Sequence, residues 1–373
     1  MLPTRDLDYD LPPELVATRP AEPRDAARLM VLRGDAPPEH RVFRDLPDLL
    51  ERGDRVVLNT SRVLPARFVG VREDTGGRVE GLFLGVAGQA WHAMIKSRRF
   101  RAGAVVRLSE RDGSASADCI ELAERLEGTP GAWVVRPRLA SGSGDARADA
   151  IAVLDRLGRP PLPPYIRSAR RRSGEPDDGP ADLDRYQTIY AGESDAASAP
   201  AAGSVAAPTA GLHFTAGVFG GLEARGIARR DVRLHVGIGT FRDVEADTVE
   251  AHDMHAEWCH AEAAAMRDLV GAADAGGRVV AVGSTATRTL ETLAESPGDW
   301  GRWIETSLLV TPGWRWRLVG GMVTNFHLPR STLMALVAAM LPGGVQQLHA
   351  VYRIAIERRY RFYSYGDAML ILP

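Results

Sequence analysis

From Arg67 to Arg136 the chain alternates apolar and polar residues in six short runs, Arg67–Arg72, Arg78–Val86, Ala90–Lys96, Ala104–Leu108, Cys119–Leu126 and Ala132–Arg136. No other stretch constrains the fold as strongly. Successive side chains of a strand point to opposite faces, so period-two runs separated by glycine turns (Gly76-Gly77, Gly113) predict a small antiparallel barrel or sandwich. Ahead of this block lie a short segment with Asp25 and Arg28 among apolar residues, a helical turn over Asp45–Leu50 and one apolar strand, Arg55–Asn59. Behind it come three strand–loop–helix units. Arg233–Val236 runs into Gly237-Ile-Gly-Thr-Phe241, Arg278–Gly283 into Ser284–Thr287 and a helix from Arg288, and Gly321–Phe326 into His327-Leu-Pro and a helix near Arg330. Buried strands alternating with helices predict a mostly parallel sheet. The expected fold class is therefore α/β: a mostly parallel-sheet α/β catalytic domain over residues 1–66 and 154–373, carrying an inserted small antiparallel β-barrel domain over residues 67–153.

A chain of 373 residues suits two or three domains, and 45% apolar with 25% charged residues is an ordinary globular balance that excludes disorder, coiled coil and fibrous repeats. The net charge of −2 excludes a uniformly basic nucleic-acid binder but not a local basic face. Lys96 is the only lysine, so the other cations are arginines, which reads first as coding bias. Cys119 and Cys259 fit no disulfide framework or zinc ribbon, and acids near the N-terminus do not make a signal peptide, so a reducing, cytoplasmic setting is expected. The longest apolar run, Leu333–Leu341, is about half of the ~20 residues that span a bilayer, so a soluble protein with no membrane partner is expected, most simply a monomer.

Two segments read as linkers or mobile loops. The first is the Pro-rich stretch Arg159–Ile166 with the polar residues that follow it to Asp184, and the second is the Ala/Ser/Pro stretch Ser194–Gly203.

Histidine placement is the strongest chemical signal. Seven of nine histidines fall in the last 161 residues, several at strand ends where α/β domains place their ligands, and imidazole suits proton transfer at neutral pH. A structural hydrogen-bonding role fits any one of them equally well. His252-Asp-Met-His255 with Cys259 and His260 has the outline of a metal site, but lacks the glutamate of H-E-x-x-H, and a helical turn with Asp253 and Glu257 fits better. Gly237-x-Gly239 lacks the third glycine of a dinucleotide loop. Ser284-Thr-Ala-Thr-Arg288 offers a helix N-terminus for an anion with Arg288 as clamp, although plain N-capping explains the hydroxyls as well. Arg167, Arg170, Arg171 and Arg172 could contact phosphate or could be a loop neutralised by Glu175, Asp177 and Asp178. Tyr360–Asp367 interleaves aromatics with arginine as base-stacking platforms do, and a half-buried final strand looks the same.

Longer blocks go further. Gly203-Ser-Val-Ala-Ala-Pro-Thr-Ala-Gly-Leu-His-Phe214, Leu234–Phe241, His252–Glu257, Thr324-Asn-Phe-His-Leu-Pro-Arg-Ser-Thr-Leu333 and Tyr360–Met369 together resemble the S-adenosylmethionine:tRNA ribosyltransferase-isomerase family of queuosine biosynthesis. Leu58–Arg67 with its Arg62, Leu162–Ile166 and Arg185–Tyr190 match as well, in order along the whole chain. The resemblance implies transfer of the ribosyl group of S-adenosylmethionine, a consumed co-substrate and not a prosthetic group, to 7-aminomethyl-7-deazaguanine at the tRNA wobble position. The ribosyl rearranges to an epoxycyclopentane, adenine and methionine leave, and no metal is required. It implies a base for the proton on the carbon beside sulfur, a donor for departing adenine, and exclusion of water. On the matching positions, His213, His235 and His327 become the expected catalytic residues with Asp253 or Asp367 orienting one of them. Gly237, Gly239, Thr240, Ser284, Thr285, Arg288, Asn325 and Asp367 become expected substrate contacts, and Arg62, Arg167, Arg170 and Arg171 expected tRNA contacts. The family usually has Thr-Thr-Ser-Val-Arg where this chain has Ser284-Thr-Ala-Thr-Arg288, so position 286 lacks a hydroxyl. That difference keeps open a paralogue that binds RNA or nucleoside without the reaction. A metal-dependent hydrolase on the 252–260 cluster is the third reading.

Overall fold

A computed structural model describes residues 1–96, 100–192, 203–237 and 246–372. Fifteen strands form two sheets among these residues: β1 Arg28–Arg33, β2 Glu39–Val42, β3 Arg55–Asn59, β4 Arg67–Arg72, β5 Arg78–Ala87, β6 Ala90–Lys96, β7 Val105–Ser109, β8 Ala115–Arg125, β9 Ala132–Arg138, β10 Ala228–Leu234, β11 Glu257–Ala261, β12 Val279–Val282, β13 Ile304–Thr306, β14 Gly321–Asn325 and β15 Ala368–Leu372.

The large sheet has the order β13-β11-β10-β3-β12-β14-β15-β1-β2. Four neighbour pairs are parallel and four antiparallel, so the sheet is mixed and the expectation of a mostly parallel one is corrected. Short returns explain the antiparallel half. After β10 the chain turns back as β11 with no α-helix in the described residues between them, and β15 inserts antiparallel beside β14. The expected strand–loop–helix pattern therefore holds after β12 and β14 but not after β10. Two strands of this sheet, β1 and β2, lie in the opening segment around Arg28, where no strand was expected; β1 is buried on both faces and so carries no alternation.

Alternation instead sorts the central strands into two cores. Val56, Leu58, Val280, Val282, Val323 and Leu370 face Leu46, Phe214, Val218 and Leu222. Val57, Val279 and Ala281 face Met266, Leu269, Leu290 and Leu293. Met30, Met322 and Ile371 pack on the same side with Leu336, Val351 and Tyr352. Helices thus cover both faces, as a sheet buried on both sides requires.

Strands β4 to β9 form the second sheet, all antiparallel, and pair in the closed order β4-β5-β6-β9-β8-β7. Phe68, Phe83, Trp91, Ile120 and Trp133 fill its interior together with Ala150, Val153, Leu154 and Leu157 of the helix Ala146–Leu157. That helix runs through the expected division at 153/154. Asp145 caps it by accepting from the backbone N–H groups of Arg147 and Ala148. The inserted segment's two ends are stapled by reciprocal backbone bonds between Arg67 and Arg159. The chain passes so closely there that a Cβ at Gly158 would sit 2.0 Å from the Pro65 carbonyl oxygen.

The supposed linker after Arg159 is ordered structure. Pro160–Pro163 are buried and lead into the helix Pro164–Arg172. Residues 194–202 of the Ala/Ser/Pro stretch lie outside the described residues. The aromatic C-terminal segment is buried as well: Tyr360 and Phe362 pack against Phe326 at 5.4 and 4.9 Å between ring centroids, so it is a core element and not an exposed stacking platform. No single helix is long and apolar enough to cross a membrane among the described residues.

Candidate active site

Strands β10, β12 and β14 end at one edge of the large sheet, and β15 starts there. A cavity of about 320 Å³ opens at that edge, where α/β sheets characteristically bind ligands. Val236 follows β10, and Gly283, Ser284 and Thr285 follow β12. Thr324 to Leu328 follow β14, and Tyr363 and Ser364 precede β15. Tyr165 and Tyr186 close one side, and Leu308, Leu309, Leu333 and Leu336 supply apolar wall.

Gly283 makes the strand-to-helix turn at φ +83°, a conformation that costs any residue with a Cβ. The helix Gly283–Glu295 therefore starts earlier than expected, with Ser284 and Thr285 in its first turn. No side chain caps it; both hydroxyl residues line the cavity instead. Ser331 does serve as a cap, accepting from the Met334 N–H.

Arg288 also lines the cavity, but its guanidinium is engaged. Nη1 bonds the Glu257 carboxylate, Nε donates to the Leu308 carbonyl at 2.9 Å and Nη2 to that of Thr306 at 3.3 Å. Glu257 also accepts from the Gly237 N–H at 2.9 Å, so one buried carboxylate ties the end of β10 to the first turns of the helix. Glu257 opens β11 and is not in the helical turn expected around Asp253. Nothing in the local sequence marks it, because its partner lies 31 positions away.

Of the expected catalytic residues, His327 reaches the cavity. Its Nε2 sits 2.7 Å from Thr324 Oγ1, its backbone N–H donates to the Tyr352 hydroxyl at 2.9 Å, and its carbonyl accepts from Tyr9. Burial holds its pKa down at about 4, so the ring is neutral at physiological pH. His213 stands one layer back, buried against Phe43, with Nε2 3.3 Å from Asn325 Nδ2. Burial pushes its pKa to about 3. His235 stacks on Trp303 at 4.9 Å outside the cavity. Asp253 is exposed, whereas His252, Met254 and His255 on either side of it line the wall.

Asn325, Ser284, Thr285 and Arg288 are the expected substrate contacts that converge. Asp367 does not: its buried carboxylate accepts from the backbone of Arg28 and Arg361 and from the Arg361 guanidinium, pinning the turn before β15. Gly237 is held by Glu257, and Gly239 and Thr240 lie outside the described residues. Thr209, Thr324, His252, His255 and the Tyr165–Ser364 pair, 2.5 Å apart, are cavity residues that motif reading did not single out as substrate contacts.

Among the expected tRNA contacts, Arg167 and Arg170 point inward. Arg167 bridges Glu80 and Asp177, and Arg170 makes a bidentate bond to Asp182 with both side chains 5% exposed. Amphipathic burial of the helix Pro164–Arg172 aims them there, which corrects the picture of an exposed phosphate grip. Arg171 is exposed beside Asp177, and Arg62 pairs with Asp155. The 252–260 histidines also separate: Cys259 and His260 are buried in β11 while His252 and His255 face the cavity, and no three potential metal-ligating side chains converge among the described residues.

Fold and site together define an α/β enzyme with a largely apolar, hydroxyl-studded cavity at its sheet edge. The family profile described as "Queuosine biosynthesis protein" matches residues 4–371, and the chain belongs to that family. The S-adenosylmethionine:tRNA ribosyltransferase-isomerase of Gloeobacter violaceus is 44% identical over 99% of this chain and 96% of its own length. That of Rubrobacter xylanophilus is 45% identical over 99% and 97%. The crystal structure of S-adenosylmethionine tRNA ribosyltransferase from Thermotoga maritima is 32% identical, covers 98% of this chain and all of its own, and superposes with a TM-score of 0.52.

Proposed function

We propose that this chain transfers the ribosyl moiety of S-adenosylmethionine onto 7-aminomethyl-7-deazaguanine at the wobble position of tRNA and isomerises it, giving epoxyqueuosine-tRNA with adenine and methionine as products. Full-length identity to enzymes of that name supports the reaction. One observation carries the site assignment: His327 lies in a mainly apolar cavity that keeps its ring unprotonated, as a general base must be.

A positive sulfonium acidifies the neighbouring ribose C–H, and His327 is the group placed to take that proton. Ser284 and Thr285 at the helix start suit the methionine carboxylate, because free N–H groups and the helix dipole favour an anion there. Arg288, neutralised by Glu257, shapes this wall and is not a free clamp. His252 and His255 on the cavity wall are the candidates for donating to departing adenine, and the leucine wall limits water access. Ala286 is wholly buried with Val57 and Leu290, so its missing hydroxyl bears on packing and not on ligand binding, which removes the reason for favouring a non-catalytic paralogue.

The inserted unit is best bounded at 67–157, since the helix Ala146–Leu157 completes its core. Arg62 and Arg171 remain candidate tRNA contacts. The buried free thiols Cys119 and Cys259 suit a reducing, cytoplasmic setting. Incubating the purified protein with S-adenosylmethionine and tRNA bearing the precursor base should release adenine and methionine in equal amounts. Absence of both products with competent tRNA overturns the reading.

A further inference from the structure

The turn that ends β14 holds a run of hydrogen bonds whose direction is fixed from its buried end. The Asn325 side chain is buried, and its Nδ2 lies 3.5 Å from the Asp367 carbonyl oxygen and 3.3 Å from Nε2 of His213. A carbonyl oxygen only accepts, so the amide must present its NH2 group on that side. Its second hydrogen goes to His213, whose Nε2 then receives through its lone pair. A neutral imidazole that accepts at Nε2 carries its proton on Nδ1. With the NH2 group spent inward, Asn325 Oδ1 is left as an acceptor, and Thr209 Oγ1 at 2.9 Å must donate to it.

Thr209 lines the cavity. A hydroxyl has one proton, and here that proton is committed to Asn325, so the oxygen offers the cavity lone pairs alone. Taken with the proposed reaction, on which this step rests, we infer that Thr209 is a specificity-determining acceptor that reads a hydrogen-bond donor on the sulfonium nucleoside, with Asn325 and His213 acting as positioning residues that fix its polarity. The donor is a ribose hydroxyl, the purine amino group or the methionine ammonium, all N–H or O–H groups of the same ligand.

The test is a double-mutant cycle between protein and ligand. Wild type, Thr209→Val and Thr209→Ser are assayed for adenine release with S-adenosylmethionine and precursor-bearing tRNA. S-adenosylmethionine analogues lacking the 2′-hydroxyl, the 3′-hydroxyl, the 6-amino group or the α-amino group are then measured as inhibitors. Thr209→Val should lose about ten-fold in kcat/KM, the size of one hydrogen bond, and Thr209→Ser should recover most of it. Deleting the donor that Thr209 reads should weaken inhibition of wild type by about ten-fold and leave inhibition of Thr209→Val unchanged, which identifies the donor. Additive penalties for all four deletions overturn the inference. Should Thr209→Val unfold, Thr209→Ala supplies the same cycle. Wild-type release of adenine in the same assay separates this failure from failure of the proposed reaction, in which wild type itself is inactive.

Discussion

Thr324 Oγ1 and His327 Nε2 meet at 2.7 Å across the turn that ends β14, so strand and loop supply the two halves of one polar pair at the cavity wall. The strand position is set by its register against β12 and β15, and the loop position by the Tyr352 hydroxyl that receives the His327 N–H. The imidazole is thereby held in one place at the cavity wall.

His327→Ala should lower the rate of adenine release by about 10²-fold or more, the usual contribution of a proton-transfer group. Folding should be preserved, since the ring sits at the cavity wall. Because burial holds the ring's pKa near 4, the kcat/KM profile of wild type should stay flat from neutrality towards pH 5 and fall as the pH approaches 4. A profile breaking near 6.5, the ordinary imidazole value, would place the base elsewhere.

Acid should unfold the protein through the same buried rings. Their pKa values of about 3 for His213 and about 4 for His327 lie below the ordinary imidazole value of about 6.5. Between those limits the unfolded chain binds protons that the native chain excludes, so this part of the stability is intact above about pH 6.5 and drains away as pH falls towards 3. The expected loss is on the order of a few kcal/mol, read by urea unfolding at stepped pH. His213→Gln should flatten the slope over that range.

The Glu257–Arg288 pair should behave as a buried ion pair. Glu257→Gln leaves the guanidinium without its counter-charge and should cost about 3–5 kcal/mol in chemical denaturation. It should also raise KM for S-adenosylmethionine, because the Gly237 N–H and the helix start at Ser284 both depend on that carboxylate's position. Ala286→Ser provides the contrast, with KM changed by less than about two-fold and stability lowered by about 1 kcal/mol as a hydroxyl enters an apolar core.

Arginine position separates folding from tRNA binding. Arg170→Ala removes one partner of a pair buried on both sides and should destabilise the protein by about 3–5 kcal/mol. The salt dependence of tRNA binding, measured at a temperature where the variant is folded, should be unchanged, since no phosphate contact is lost. Arg171→Ala should leave the unfolding midpoint within the spread of wild type.

Much of this protein could be read from residue order. The six strands of the inserted unit fall within a few residues of their alternating runs, because period two is imposed locally by the backbone. The strands at β12 and β14 and the helices after them were equally plain, and Ser284, Thr285, Asn325 and His327, expected at those strand ends, line the cavity there. The direction of neighbouring strands was not legible, nor was the burial of Arg167 and Arg170, nor the retreat of His213 behind Asn325. Those depend on contacts between residues tens to hundreds of positions apart, such as Glu257 with Arg288 and Asn325 with His213. Local sequence sets which side chains alternate and where turns fall; only packing in three dimensions decides which of two equally polar residues meets the cavity and which is spent holding the other in place.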